Sequence, residues 1–335
     1  MIPAGAGYHR RVTTRPRPPV PPAVLDAARS RSVAREARDW PTADRLRGEI
    51  EAAGWQVVDT GTEFSLVPAH PADVEVSGAL RYGRSEHVAS RLADPPAAPA
   101  SVAVVASRPV EETIRAVESL LRYAPVGTTA AIVADGLGNV EVDALEAFAA
   151  SHPGLEVLVT STPLGHGAAT NMAIRRASGP VVLLLDPSVE ATGDAVTPLV
   201  RALDDPAIAV AGPFGLVSGD LRHYEEATAG DVAAVQGYLL AFRREDAVAR
   251  GPLDEHFRFY RNLDIWWSLV LRDAGDEAPP RRAIAVGELP LVRHEHRGWT
   301  SVAPRERDRL SKRNFYRIID RFGHRRDLAV PRPTP

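Results

Sequence analysis

The sequence predicts an α/β fold, a mainly parallel sheet with helices on both faces, preceded by a small helical-hairpin module that ends in a short β-hairpin. Two observations predict it. After residue 100, short apolar runs alternate with amphipathic stretches, as strands buried on both faces and their covering helices do. Before that point the chain is Ala- and Arg-rich with helical spacing and then gives way to two short β-like runs. Composition sets the outer bounds. With 335 residues and 44% hydrophobic side chains, the chain is too apolar to be disordered and long enough for one large domain or two ordinary ones. A formal charge of -3 argues against a nucleic-acid binder held by a global positive field. The charge is unevenly spread: residues 1–50 carry 10 Arg against 5 acids and residues 291–335 carry 12 basic against 5 acidic side chains, so the middle is acidic. Absence of cysteine removes disulfides, thiolate-bound zinc, iron–sulfur clusters and thiol nucleophiles, and leaves carboxylates, His and water for any metal. No apolar run approaches the roughly 20 residues that span a bilayer, and the first residues lack the apolar core of a signal peptide, so a cytoplasmic protein is expected.

The elements follow in order. Residues 1–22, rich in Pro and Arg without an acid, read as a flexible basic arm. A helix is expected from Val24 to Arg38, and a second after Trp40-Pro41, with Ala43, Leu46, Ile50 and Ala53 on one face and Gly54 as its stop. Strands at 55–59 and 63–67 flank a Thr-Gly turn and complete a module at 23–70, with a Pro/Ala-rich linker at 71–100. The main domain spans 101–303. Its apolar runs are 102–105, 130–133, 155–159, 181–185 and 208–211, and Val110, Ile114, Val117 and Leu121 mark a helix between the first two. In such sheets ligands bind beyond the carboxyl ends of the strands, which directs attention to Ser107-Arg108, Asp135-Gly136, Thr162 to Gly167 and Asp186-Pro187-Ser188. An Asp there can hold a divalent cation or accept from a base or ribose, and it can equally cap a turn. The last segment, 304–335, forms a helix with Leu310, Phe315, Ile318, Ile319 and Phe322 on one side and Arg305, Arg307, Arg309, Lys312 and Arg313 around it. Such a helix suits an anionic membrane surface, help in neutralising a diphosphate, or packing on the domain with a solvated Arg face.

A set of motifs then recurs in a recognisable order: VAVVASRPVEETIRAVESLL, AIVADGLGN, PLGHGAATNMAIRRASGPVVLLLD, Asp186-Pro187-Ser188, GYLLAFRRED, RNLDIWWSLVLRDAG and VRHEHRGW. Together they resemble the glycosyltransferase family 2 domain of the GT-A fold, over about residues 101–325. The resemblance implies an inverting glycosyltransferase that takes a nucleotide-diphosphate sugar, with Ser107, Glu111, Asp135 and Asp186 at the donor. It implies Mg or Mn held by Asp186 with His294 or His296, Asp264 as general base, and Tyr260, Trp266 and Trp267 at the acceptor. Aromatic residues beside a helix also serve as core. The acceptor would be a glycan, a lipid-linked molecule or a small molecule, with peripheral contact at the inner face of the membrane through the basic C-terminal helix. Four positions depart from the family pattern: Ser188 stands for the second metal carboxylate, Leu263 for a Glu, Ala134 for an Asp, and Thr170 for an Arg. These departures make a degenerate sugar-nucleotide-binding protein the alternative. Residues 33–67, SVAREARDWPTADRLRGEIEAAGWQVVDTGTEFSLV, resemble the C-terminal segment of cysteinyl-tRNA synthetases. That resemblance implies a borrowed helical interaction module. An RNA-associated adaptor contacting nucleic acid through Arg35, Arg38, Arg45 and Arg47 is the lesser reading.

Overall fold

The computed structural model describes residues 12–14, 19–61, 63–275 and 278–332. Within these the chain divides into two compact units, residues 1–87 and 88–335.

The first unit holds β1 (Val12–Thr14), α1 (Pro22–Glu36), α2 (Trp40–Ala52), β2 (Trp55–Thr60), β3 (Glu63–Pro68), β4 (Val74–Val76) and β5 (Ala79–Tyr82). Asp39 caps α2 by accepting the Thr42 N–H, and Gly54, at φ +81°, turns the chain out of the helix into β2. Val24 and Ala28 of α1 pack with Ile50 and Trp55 to form the small core that joins the helical hairpin to β2 and β3. Arg31 donates two bonds to Asp59 at 2.9 and 3.0 Å, and Arg35 pairs with the same carboxylate. Arg45 and Arg47 pair with Glu49 and Glu51 one helical turn on. Three of the four arginines expected to face a nucleic acid are therefore engaged within the unit. Most of the arm expected at 1–22 lies outside the described residues, but Val12–Thr14 are a strand antiparallel to β4 rather than free chain. The stretch 71–100 is not one linker. β4 and β5 form a hairpin in the first unit, and residues from 88 onward belong to the second, where Arg91 N–H bonds Arg175 O and Ala97 N–H bonds Ser178 O.

The second unit opens with β6 (Ser101–Val105), α3 (Val110–Tyr123), β7 (Thr129–Ala134), α4 (Asn139–Ala150), β8 (Leu155–Thr160), α5 (His166–Arg175) and β9 (Val181–Leu185). It continues with β10 (Val189–Ala191), α6 (Val196–Ala202), β11 (Ile208–Gly212), β12 (Gly215–Val217), β13 (Glu225–Ala227), β14 (Gly230–Val232), β15 (Ala234–Val235) and β16 (Leu239–Arg243). Last come α7 (Arg244–Arg250), α8 (Leu263–Arg272), β17 (Arg282–Ala285), β18 (Leu291–Arg293), α9 (Arg297–Thr300) and α10 (Pro304–Phe322). In the main sheet the strand order is β8-β7-β6-β9-β16-β11-β17-β14. The four strands β6 to β9 are mutually parallel, as the apolar runs predict. β16 runs antiparallel between β9 and β11, and β11 pairs in parallel with β17. Side chains alternate across the sheet. Val102, Val104, Ala130 and Ile132 meet α3, α4 and α6 in one core, while α5 crosses β6 and β7 on the opposite face.

Polar anchors fix the seams of this sheet. Ser101 Oγ accepts the buried N–H groups of Ser178 and Gly179 at 2.9 and 2.8 Å, which sets the entry of β9 beside β6. Ser101→Ala leaves both amides unpartnered and is expected to lower unfolding free energy by about 2–3 kcal/mol. Urea denaturation at unchanged slope would show it.

Candidate functional site

A cavity of about 510 Å³ opens where the parallel strands end, within the size range of small-molecule sites. Its walls come from residues far apart in sequence, and the β9–β16 pairing brings them together. Leu185 lies opposite Leu239, so the turn before β16 runs beside the residue after β9, and Asp186 N–H bonds Tyr238 O at 3.0 Å. One residue earlier, Gly237 N–H donates to Asp264 Oδ2 at 2.8 Å. Gly237 sits against that side chain, since an added Cβ would lie 3.3 Å from Asp264 Cβ. A single turn thus holds Asp186 and Asp264 on one cavity.

At one end, Ser188 N–H and hydroxyl both bond Asp186 Oδ1, and His296 Nε2 lies 3.0 Å from Oδ2. His296 arrives there because β18 pairs antiparallel with β10, just beyond Asp186. Burial alone would push the Asp186 carboxyl up, but the His296 and Ser188 bonds outweigh it and hold the group below its usual value. The same contact raises the His296 imidazole against the lowering effect of its own burial. Tyr260 stacks on the His296 ring at 4.3 Å between centroids and 17° between planes. His166, at the start of α5, lines the same end; burial lowers its pKa to about 4, so it is neutral at physiological pH.

Asp264 occupies the first turn of α8, which begins at Asn262 in a left-handed conformation, φ +69°. Its two oxygens accept from Gly237 N–H and Ile265 N–H. Burial raises its pKa, against the lowering by those bonds and by Arg261. A carboxylate held this way is a stronger base than an exposed one.

The cavity therefore takes in Asp186, Asp264, His296 and Tyr260, all expected from the sequence. Others lie elsewhere. His294 Nε2 bonds Glu190 at 2.8 Å, outside the cavity lining, and Arg115 shares that carboxylate. Trp266 and Trp267 do not line the cavity: they are buried 7% and 1% exposed, Trp267 against Phe242 and Trp266 against Phe257 and Phe322. Two and three residues after Asp264 on α8, they turn to other sides of the helix and pack as core. Asp135 spends its carboxylate inside the protein, accepting from Leu164 N–H, Gly165 N–H and the Thr160 hydroxyl at 2.7, 2.9 and 3.0 Å. Gly165 is required there, with φ +99° and Arg258 Cα where a Cβ would point. Ser107, two residues past β6, has its hydroxyl buried and unpartnered among the described residues, and Glu111 is exposed on the first turn of α3. Neither lines the cavity. Asn171 of the Gly/Asn motif is a brace, its amide bonding both Leu253 backbone groups and Glu255, which steadies the segment leading to Asp264. His166, from the strand-end stretch 162–167, and Arg261, next to Tyr260, also line the cavity; Tyr224, Glu226, Gln236 and Tyr238 line it without having been singled out, since nothing local in the sequence marks them.

Among the described residues no three carboxylate or imidazole groups gather as a metal cluster. Asp186, Ser188 and His296 nevertheless suit a cation completed by phosphate oxygens and water, the usual arrangement for Mg²⁺ at phosphorylated substrates. The C-terminal helix packs on the domain. Ile318 and Phe322 are buried, Asn314 donates to Phe259 O and Arg261 O at 2.8 Å each, and Phe315 lines the cavity, so its apolar side is turned inward. Among the described residues no helix is long and apolar enough to cross a membrane.

Residues 101–262 match the family model described as Glycosyl transferase family 2. Among solved structures the chain is similar to GalNAc-T7, crystallised with UDP, GalNAc and Mn²⁺, at 15% identity and a TM-score of 0.53, covering 67% of this chain and 48% of that one. It is also similar to the mannosyltransferase PcManGT from Pyrobaculum calidifontis in complex with GDP-Man and Mn²⁺, at 17% identity and a TM-score of 0.46, covering 72% and 75%. The GalNAc-T7 likeness carries the fold, a GT-A sheet, and the chain spans about half the length of that protein. A separate 56-residue stretch is 46% identical to the cysteine–tRNA ligase of Opitutus terrae, covering 17% of this chain and 12% of the ligase. The core position of Trp267 has a measurable consequence: Trp267→Ala should cost about 3–5 kcal/mol of stability, read by urea unfolding.

Proposed function

We propose that the glycosyl transferase family 2 domain at residues 101–262, completed by the elements that follow it, moves a sugar from a nucleotide-diphosphate donor to an acceptor hydroxyl with inversion. The observation that carries this reading is the joining of Asp186 and Asp264 on one cavity through the 237–238 turn. The donor diphosphate lies at the Asp186 end, where Asp186 and His296 hold Mg or Mn; such a cation, when bound, offsets charge on the leaving diphosphate. The sugar then extends toward Asp264. As the acceptor oxygen bonds the anomeric carbon, Asp264 takes its proton, and the carbon–oxygen bond to the diphosphate breaks with its electron pair on the leaving group. Attack from the side opposite the leaving group inverts the centre and needs no covalent sugar intermediate. His166, being neutral, donates or accepts at the donor without adding charge.

Thermal shift against a panel of nucleotide-diphosphate sugars, with and without Mn²⁺, tests the donor: stabilisation by at least one is expected, and none by any would end the transferase reading. Asp264→Asn should reduce turnover by at least about 100-fold while calorimetric donor affinity stays near wild type. The base must be ionised to act, so kcat/KM should fall as pH drops. Because burial raises Asp264, that limb should sit above the ordinary carboxyl value of 3.8. A pH profile of the wild type would reveal the limb.

A further inference from the structure

Tyr224 lines the cavity that holds Asp264, and its hydroxyl is buried with no hydrogen-bond partner among the described residues. Its setting is rigid. The β12–β13 hairpin that carries it turns through Ser218 to His223, where Asp220 Oδ1 accepts the Arg222 and His223 N–H groups at 2.8 Å each and Ser218 Oγ accepts Leu221 N–H at 2.9 Å. Leu221, buried with φ +58°, and the reciprocal bonds between Ser218 and Val330 at 2.8 Å lock the turn from below. An unpaired buried hydroxyl carries a desolvation cost that a ligand oxygen reaching it would relieve. Burial raises the phenol's pKa, so it stays a neutral donor.

The surroundings define what it would meet. Gln236, steadied by a bond from Nε2 to Gly215 O at 3.3 Å, lines the same cavity, as do the carboxylates of Asp264 and Glu226. Arg272, near Tyr224, donates from its guanidinium to Ala233 O, Leu328 O and Arg281 O; Arg293 stacks over Phe214 and Tyr238 and pairs with Glu226 at 3.9 Å; and Arg261, which lines the cavity, lies by Asp264. The histidine that pairs with a carboxylate of this cavity, His296, lies by Asp186 instead. The two cations at this end, Arg261 and Arg293, already face carboxylates, Asp264 and Glu226, so a phosphate-bearing acceptor would have to compete with those pairings, whereas a neutral one would not. Tyr238 and Tyr260 add aromatic residues, of the kind that pack against sugar rings, to the cavity wall.

Resting on the transferase reading, we propose that Tyr224 and Gln236 form the acceptor subsite and take an uncharged, hydroxyl-rich molecule, a glycoside, with Tyr224 Oη bonding one hydroxyl while Asp264 receives the proton of the attacking one. Saturation-transfer NMR on the full chain with UDP and Mn²⁺ tests this, using methyl glucoside, galactoside and mannoside as neutral probes and geranyl phosphate as the charged one. At least one glycoside should bind and geranyl phosphate should not. Tyr224→Phe, which removes only the unpaired oxygen, should weaken that glycoside by about ten-fold, the loss of one hydrogen bond, and leave calorimetric nucleotide-sugar affinity unchanged. Absence of glycoside binding, preference for geranyl phosphate, or a Tyr224→Phe protein that binds like wild type would each overturn the subsite. If the wild type binds nucleotide sugars but no glycoside, the subsite alone falls; if it binds no nucleotide sugar, the transferase reading falls with it.

Discussion

The antiparallel pairing of β16 beside β9 is the constraint on which the site depends. Parallel strands alone would leave Asp186 at the mouth of an open sheet, facing only the loops that follow its neighbours. Reversing one strand delivers the 236–238 turn to Asp186 and makes two backbone amides do unrelated tasks. The Asp186 N–H ties to Tyr238 O, and the Gly237 N–H ties to the carboxylate of Asp264 from a helix that begins more than twenty residues later. Both bonds are between backbone and either backbone or carboxylate, short-range and directional, so the spacing of the two acidic groups follows from sheet register rather than from flexible side chains.

The electrostatics follow from the same arrangement. Each acidic group is buried, which by itself favours its neutral form, and each is treated differently. Asp186 is compensated by an imidazole and a hydroxyl, which hold it below its usual value. Asp264 is compensated mainly by two amides and keeps a raised pKa. Two carboxylates of one cavity are thus pushed apart in basicity by their partners.

Much of the fold was legible in the sequence, because buried parallel strands are written as contiguous apolar runs and their helices as periodic ones. The runs 102–105, 130–133, 155–159 and 181–185 became β6 to β9 nearly residue for residue, and the helical hairpin of the first unit ends at Gly54 as its composition indicates. Asp186, Asp264 and Tyr260 were legible through motif order. Tyr224 and Gln236 were not, since their shared cavity exists only once β16 and the β12–β13 hairpin are folded across the strand ends, and no spacing along the chain encodes that pairing. Trp266 and Trp267 were misread for the opposite reason: nearness in sequence to Asp264 suggested a shared surface, whereas the helix carries them inward to Phe242, Phe257 and Phe322. The 71–100 stretch misled because proline and alanine mark a boundary by composition, while the β4–β5 hairpin within it depends on pairing.

The inward-facing side of α10 carries a consequence for how this architecture can be recombined. Asn314 holds the carbonyls of Phe259 and Arg261, and Phe315 forms part of the cavity wall, so a segment beyond residue 262 shapes the pocket that the earlier strands begin. Recutting the cavity wall on this scaffold would therefore require exchanging α10 and the 253–265 segment as one cassette, because either half alone would meet a partner shaped for a different wall.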